Sequence, residues 1–145
     1  MVIKMKAIET ALSLTQAYKL GIERFEKMLG DEFSKAIELM NKTNEHIIIC
    51  GMGKSGLVGR KISSTLASTG TPSIFLHPAE AIHGDLGKVQ KKSIVLLISY
   101  SGETEEIIAL IPAFKRLNVT IVALTGVKDS TLASKADICL LYTSD

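Results

Sequence analysis

The spacing of hydrophobic residues divides the chain into two parts. From residue 4 to about residue 43, apolar positions recur every three or four residues, which is the period of an α-helix. Gly30 and Asp31 interrupt this pattern, and we expect Asp31 to cap a second helix. The pattern therefore predicts an N-terminal helical hairpin. The first helix carries a stripe of Ile8, Ala11, Thr15, Tyr18, Ile22, Phe25 and Leu29, and the second carries Phe33, Ile37 and Met40.

The long stripe of the first helix needs a surface to cover it. It can pack against the sheet of the same chain, which is the ordinary arrangement in a small domain, or against a second subunit. The intramolecular arrangement is the default expectation, and dimer packing is its rival. The sequence leaves both alternatives open.

From about residue 46 onward, short apolar segments alternate with helical patterns. Residues 47–49 and 94–98 are continuously apolar, as expected for strands buried on both faces of a parallel sheet. This alternation predicts an α/β fold with a doubly wound five-stranded parallel sheet over residues 44–145. The predicted strands are His46–Cys50, Ser73–Leu76, Ser93–Ser99, Thr120–Leu124 and Asp137–Leu141, and the helices are Ser55–Ser68, Glu103–Leu117 and Ser130–Lys135.

Length and composition argue against several classes of protein. A length of 145 residues suits one domain, in which residues 1–43 form the hairpin. A net charge of +2, with no basic run longer than a pair, argues against nucleic acid as a partner. No apolar stretch reaches the ~18 residues of a membrane helix. Cys50 and Cys139 lie in apolar runs, which predicts reduced thiols in a cytoplasmic protein.

The first candidate motif, Gly51–Gly56, follows a predicted strand and opens a helix. In such sheets ligands bind beyond the carboxyl ends of the strands. Dinucleotide binding is disfavoured because no acidic residue ends the next strand. A P-loop is excluded because the first glycine of that motif is missing from this sequence. The glycines and the helix N-terminus instead favour a phosphate-sized anion site that contains Lys54 and Ser55. A plain tight turn is the alternative.

The second motif, Ser99–Thr104, also lies between a predicted strand and a helix. Its three hydroxyls, together with helix amides, form a neutral cradle suited to a phosphate monoester. Ordinary helix capping by Ser101 is the alternative, although it accounts for one hydroxyl only. Three glutamates follow, at positions 103, 105 and 106. At least two are expected to be surface acids, whereas Glu106 is placed to face the site.

The third motif, residues 77–87, places two of the three histidines in one predicted loop. His77 and His83, with Glu80 and Asp85 nearby, suggest catalysis or metal binding. No full tetrahedral ligand set is evident, so a required zinc ion is not expected.

Together these motifs resemble the sugar isomerase (SIS) domain and, within it, the arabinose-5-phosphate isomerase family. The resemblance runs from about residue 4 to residue 138, and the segment HPAEAIHGDLG is its most specific part. It implies interconversion of D-arabinose 5-phosphate and D-ribulose 5-phosphate, often to supply the Kdo sugar of lipopolysaccharide. It implies no required cofactor, since enediol acid–base chemistry needs none.

Matching positions carry the family's functional residues onto this chain. The resemblance implies catalytic roles for Lys54, His83 and Glu106, and leaves open whether Glu106 or His83 moves the proton. His77 matches a histidine at which zinc binds in an inhibitory way. The implied substrate-binding residues are Gly53, Ser55, Gly70, Thr71, Ser99, Ser101 and Thr104.

The resemblance also bears on assembly and completeness. It implies a homodimer or homotetramer, whose subunits often share active-site residues. The family continues for dozens of residues past residue 145, with a further catalytic acid, a further histidine and often a pair of CBS domains. We therefore expect the site to be incomplete at the C-terminus. The alternative function is a non-catalytic SIS module that binds or senses a phosphosugar.

Overall fold

Helices and strands alternate along the chain as the sequence predicts. The computed structural model describes residues 2–143, with side chains from residue 6 onward. Residues 144 and 145 of the predicted domain lie outside this range. The elements are α1 (Val2–Met28), α2 (Asp31–Lys42), β1 (Ile47–Gly51), α3 (Gly53–Ser68), β2 (Ser73–Leu76), α4 (Pro78–Ile82), a 3-10 turn (Asp85–Lys88), β3 (Ile94–Ile98), α5 (Glu105–Leu117), β4 (Thr120–Thr125), α6 (Thr131–Lys135) and β5 (Ile138–Leu141).

The five strands form one parallel sheet in the order β2-β1-β3-β4-β5. From β1, the chain first places β2 on one side of that strand and then returns to place β3 on its other side. This reversal of strand order lies between β1 and β3, and crevices at such points hold the ligands of doubly wound sheets. The predicted α/β fold is therefore confirmed, and by this rule we expect the ligand crevice between β1 and β3.

Side chains of the central strands alternate between two buried layers. One layer packs against α4, α5 and α6, and the other packs against α2 and α3. Because both faces are covered by helices, β1 and β3 are continuously apolar. The strand residues of the first layer include Ile48, Cys50, Val95 and Leu97, and those of the second include Ile47, Ile49, Ile94 and Leu96.

The N-terminal hairpin has two unlike helices. In α2, Ala36 is fully buried against the sheet, whereas α1 leaves its predicted stripe exposed, with Tyr18 at 72% and Ile22 at 67%. The default expectation that this stripe packs on its own sheet is therefore wrong. The physical reason is that α2 and α3 already cover the adjacent sheet face. None of the helices within residues 2–143 combines the length and hydrophobicity needed to cross a bilayer.

Two local predictions need correction. Asp31 does not cap α2: Gly30 takes that position, and Asp31 is the first helical residue, where the helix dipole favours a carboxylate. Residues 77–87 are not a simple loop, since they contain α4 and the 3-10 turn. His77 caps α4, with its Nδ1 accepting a hydrogen bond from the Ala79 amide at 3.3 Å. Pro78 favours this helix start because its fixed φ suits the first helical position.

Candidate functional site

The carboxyl ends of β1 and β3 bring the first two motifs side by side. Gly51 is paired with Ile98, so the loops that follow leave the sheet at neighbouring positions. The first loop leads into α3, which has 16 residues, and the second into α5, which has 13. The first amides of a helix lack partners within it, and the helix dipole favours negative charge there. Two helix N-termini thus begin at one crevice, an arrangement suited to an anion.

Hydroxyl groups converge in the loop after β3. Ser99 is 2% exposed, and its Oγ lies 2.8 Å from Oγ1 of Thr104. The same Ser99 oxygen accepts a hydrogen bond from the Gly102 amide at 3.1 Å. Ser101 is exposed, and its hydroxyl accepts from the Glu103 amide at 3.2 Å. Capping of α5 by Ser101 is therefore wrong, because Thr104 occupies the cap position.

Glycines let the loop after β1 pack tightly against the strand. A Cβ on Gly56 would lie 2.7 Å from the carbonyl oxygen of Gly51, so the first turn of α3 rests directly on the end of β1. Gly53 has a φ of +51°, in the left-handed region. This path places Ser55 in the first turn of α3, half-buried next to the crevice edge, while Lys54 is exposed.

The three predicted catalytic side chains lie on or beside three different helices. Lys54 is in the first turn of α3, His83 follows the last residue of α4, and Glu106 is the second residue of α5. Lys54 and His83 are exposed, whereas Glu106 is half-buried. Among the described side chains, no hydrogen bond or ion pair links these three residues. Their catalytic roles stay predictions.

Gly70 and Thr71 do not join the other predicted residues. They lie between α3 and β2, at the amino edge of the sheet and so opposite the crevice. There they border a cavity of about 350 Å³, together with Ile37, Met40 and Leu66.

Residues 6–143 contain no group of three His, Cys, Asp or Glu side chains able to hold a metal ion.

The residues that follow β4 support the loop after β3, a role that was not predicted for them. The Gly126 amide and the Thr125 hydroxyl both donate hydrogen bonds to the carbonyl oxygen of Tyr100, at 2.9 Å and 3.1 Å. The Leu132 amide donates to the carbonyl oxygen of Gly102 at 3.0 Å. Gly102 has a φ of +67°, and a Cβ there would overlap the side chain of Ser130. Residues 125–132, which we call the supporting segment, thus fix the backbone of this loop.

Glu103 is exposed like a surface acid, yet it also belongs to this support. Its carboxylate accepts a hydrogen bond from the backbone amide of Thr131 at 2.6 Å. This amide, followed by the Thr131 hydroxyl, holds the pKa of Glu103 below its usual range. Glu105 is exposed as well. Ser130 and Thr131 are residue types that favour a helix start, which agrees with the predicted helix Ser130–Lys135 but does not reveal the contact with Glu103.

Comparison with known proteins agrees with this architecture. The family model of the SIS domain matches residues 39–145. The arabinose 5-phosphate isomerase KdsD of Pseudomonas aeruginosa is 52% identical over 112 residues, covering 77% of this chain and 34% of that protein. The arabinose 5-phosphate isomerase KpsF of Escherichia coli O6:H1 is 52% identical over 121 residues, covering 83% of this chain and 37% of that protein.

A solved structure shares the fold as well. The Escherichia coli CFT073 protein c3406, in complex with arabinose 5-phosphate, superimposes with a TM-score of 0.80 at 35% identity, covering 94% of this chain and 75% of that chain. The present chain spans 34% to 42% of the length of the first two curated relatives it matches. These relatives therefore extend well beyond the region they share with it.

Proposed function

The chain belongs to the SIS domain family, and on that premise we propose that it interconverts D-arabinose 5-phosphate and D-ribulose 5-phosphate. The observation that carries the proposal is the 2.8 Å contact between the Ser99 and Thr104 hydroxyls at the β1/β3 crevice. Both hydroxyls can turn their hydrogens toward an acceptor, and the N-termini of α3 and α5 begin beside them. The identity of about 50% to arabinose 5-phosphate isomerases supports this substrate.

We assign the phosphate group to the hydroxyls of Ser55, Ser99, Ser101 and Thr104. A phosphate monoester presents several acceptor oxygens, and hydroxyls and amides can donate to them without bringing an opposing charge. The backbone of Gly53 can approach the anion because no side chain stands in the way. Binding would replace the Ser99–Thr104 contact by hydrogen bonds from both hydroxyls to the ligand.

The reaction itself is a proton transfer between neighbouring carbons. A base takes the proton from the carbon next to the carbonyl while the carbonyl oxygen takes up a proton, which gives an enediol. A proton is then delivered to the former carbonyl carbon as the neighbouring hydroxyl gives up its own proton and becomes the new carbonyl. We assign this transfer to Glu106 or His83, since positioned acid–base groups typically contribute about 10²–10⁴-fold. Lys54 would stabilise the negative charge that develops on the carbonyl oxygen. His77 enters this scheme only as a position for inhibitory zinc.

Paired measurements of binding and turnover test this assignment. For Glu106→Gln and His83→Asn, we expect kcat to fall by about 10²-fold or more while the Kd for arabinose 5-phosphate changes by less than about threefold. Calorimetry gives Kd, and the appearance of ribulose 5-phosphate gives kcat. Glu105→Gln, an exposed glutamate beside Glu106, is the matched control and should leave both values unchanged. Binding by the wild-type chain without turnover would contradict turnover by this chain, and it would favour either the non-catalytic phosphosugar-binding module or the incomplete site that the resemblance implies.

We further propose a homodimer or homotetramer assembled through α1. Large apolar side chains on this helix are exposed in a single chain, among them Ile8 at 54% and Leu12 at 65%. Such surfaces commonly mark interfaces between proteins. Gly70 and Thr71 lie at the edge of the sheet opposite the crevice, so any contact of theirs with the substrate would have to come from another copy of the chain.

The cellular setting follows from the proposed substrate. We propose that the protein acts in the cytoplasm and supplies a sugar phosphate for lipopolysaccharide synthesis. The free thiols of Cys50 and Cys139 suit a reducing compartment.

A further inference from the structure

A carboxylate stands in the middle of the loop that we assign to phosphate. Glu103 lies between Ser101 and Thr104, and like charges at such short range repel one another. The structure gives this carboxylate a different partner. It accepts a hydrogen bond from the amide of Thr131, the first residue of α6, at 2.6 Å. The Thr131 amide, the first cause of the lowered pKa of Glu103, stabilises the ionised carboxylate.

A second hydrogen bond continues the same contact. The Leu132 amide donates to the carbonyl oxygen of Gly102 at 3.0 Å, so two adjacent loop residues are held by two adjacent residues of α6. The loop packs directly against the residue before α6, since a Cβ on Gly102 would overlap the side chain of Ser130. The shape of the loop after β3 therefore depends on a segment nearly 30 residues further along the chain.

We propose that Glu103 is a positioning residue that locks residues 99–104 in their phosphate-binding shape through the Thr131 amide. This inference rests on the phosphate site of the proposed function. A loop that adopts its binding-ready shape for only a fraction of the time binds with a Kd raised by the inverse of that fraction. Removing the carboxylate thus weakens phosphate binding, even though it also removes a negative charge.

The direction of the change in Kd separates this role from that of a surface acid. An unattached glutamate near an anion site only repels the ligand, so its removal would lower the Kd or leave it unchanged. For Glu103→Ala we expect calorimetry at low ionic strength to show a Kd about three- to tenfold higher, for inorganic phosphate and for arabinose 5-phosphate alike. Glu103→Gln should recover part of this loss, because its amide oxygen still accepts a hydrogen bond. Glu105→Ala is the control and should not raise the Kd.

Thr131→Pro removes the donor while leaving Glu103 in place. Proline lacks the amide hydrogen but is well tolerated at the first position of a helix. Ser130 already has the extended backbone required before proline, with φ −79° and ψ 160°. We expect a rise in Kd at least as large as for Glu103→Ala, since the released carboxylate also repels the anion, and no further rise when the two substitutions are combined. Thr131→Ser keeps both donors and should bind like the wild type.

Each result bears on a separate claim. If the wild-type chain binds neither phosphate compound, the proposed function fails and this inference fails with it. If the wild type binds but Glu103→Ala binds equally well or more tightly, the inference alone is overturned. Independent, multiplying effects of Glu103→Ala and Thr131→Pro would also overturn it, because the two residues would then not act through one contact.

Discussion

The Thr104 hydroxyl offers the most direct test at the scale of single residues. It lies 2.8 Å from the buried hydroxyl of Ser99, and valine has nearly the same shape without the hydroxyl. For Thr104→Val we expect the Kd for inorganic phosphate to rise about tenfold, since a donor is lost and the Ser99 oxygen loses a partner. Calorimetry measures this change. Thr65→Val, on the exposed side of α3, is the control, and an equal loss of affinity there would contradict the assignment.

The two cysteines should differ in reactivity. Burial raises the pKa of the Cys50 thiol to about 12, and burial also raises that of Cys139, which is only half-buried. Because the thiolate is the reactive form, we expect Cys139 to be alkylated first and Cys50 to react only on unfolding. Mass spectrometry after iodoacetamide treatment would detect the order. Equal rates for both thiols in the folded protein would contradict the burial of Cys50.

At the scale of elements, the junction of β1 and α3 depends on the absence of a side chain at Gly56. A Cβ there would lie 2.7 Å from the backbone oxygen of Gly51, which cannot move without distorting the strand. We expect Gly56→Ala to lower the free energy of unfolding by about 1–3 kcal/mol and to weaken phosphate binding. Chemical denaturation and calorimetry give the two values. Ser64→Ala, exposed in the same helix, should be neutral or slightly stabilising because alanine favours a helix, and a similar loss there would contradict the steric explanation at Gly56.

Elements were predictable from sequence where local pattern and tertiary burial agree. The unbroken apolar runs of β1 and β3 indicated strands covered on both faces, and both faces are covered. α4 was missed because a helix of five residues has too few positions to show a period, and it depends on Pro78 and the His77 cap. The contact between Glu103 and Thr131 was missed because the sequence does not show which distant segment lies beside a loop.

At the scale of the whole molecule, most of the large apolar side chains that the structure describes on α1 are exposed. Tyr18 and Ile22 are both about two-thirds exposed or more. If α1 forms the interface between subunits, Ile22→Lys should shift the protein to a smaller assembly, because burying an unpaired charge in an apolar contact is costly. Light scattering after gel filtration measures the mass. Gln90→Lys adds the same charge on a distant exposed loop and should leave the mass unchanged. An unchanged mass for Ile22→Lys would contradict this interface.

The sequence predicted only part of the candidate site, because the other part depends on how the whole molecule is arranged. Ser99 and Thr104 are close in sequence, so one motif brings their hydroxyls together. Gly70 and Thr71 lie at the opposite edge of the sheet, as the predicted order of elements requires, because they precede a parallel strand. Only the resemblance placed them with the substrate, and under the proposed assembly that contact would come from another subunit.

The central claim is that a phosphorylated sugar is held between the carboxyl ends of β1 and β3. A crystal structure of the chain with arabinose 5-phosphate tests it most directly. We predict phosphate oxygens within hydrogen-bonding distance, about 2.5–3.2 Å, of the hydroxyls of Ser99 and Thr104. A phosphate group bound elsewhere, for example in the cavity beside Gly70 and Thr71, with the two hydroxyls still bonded to each other, would contradict the account.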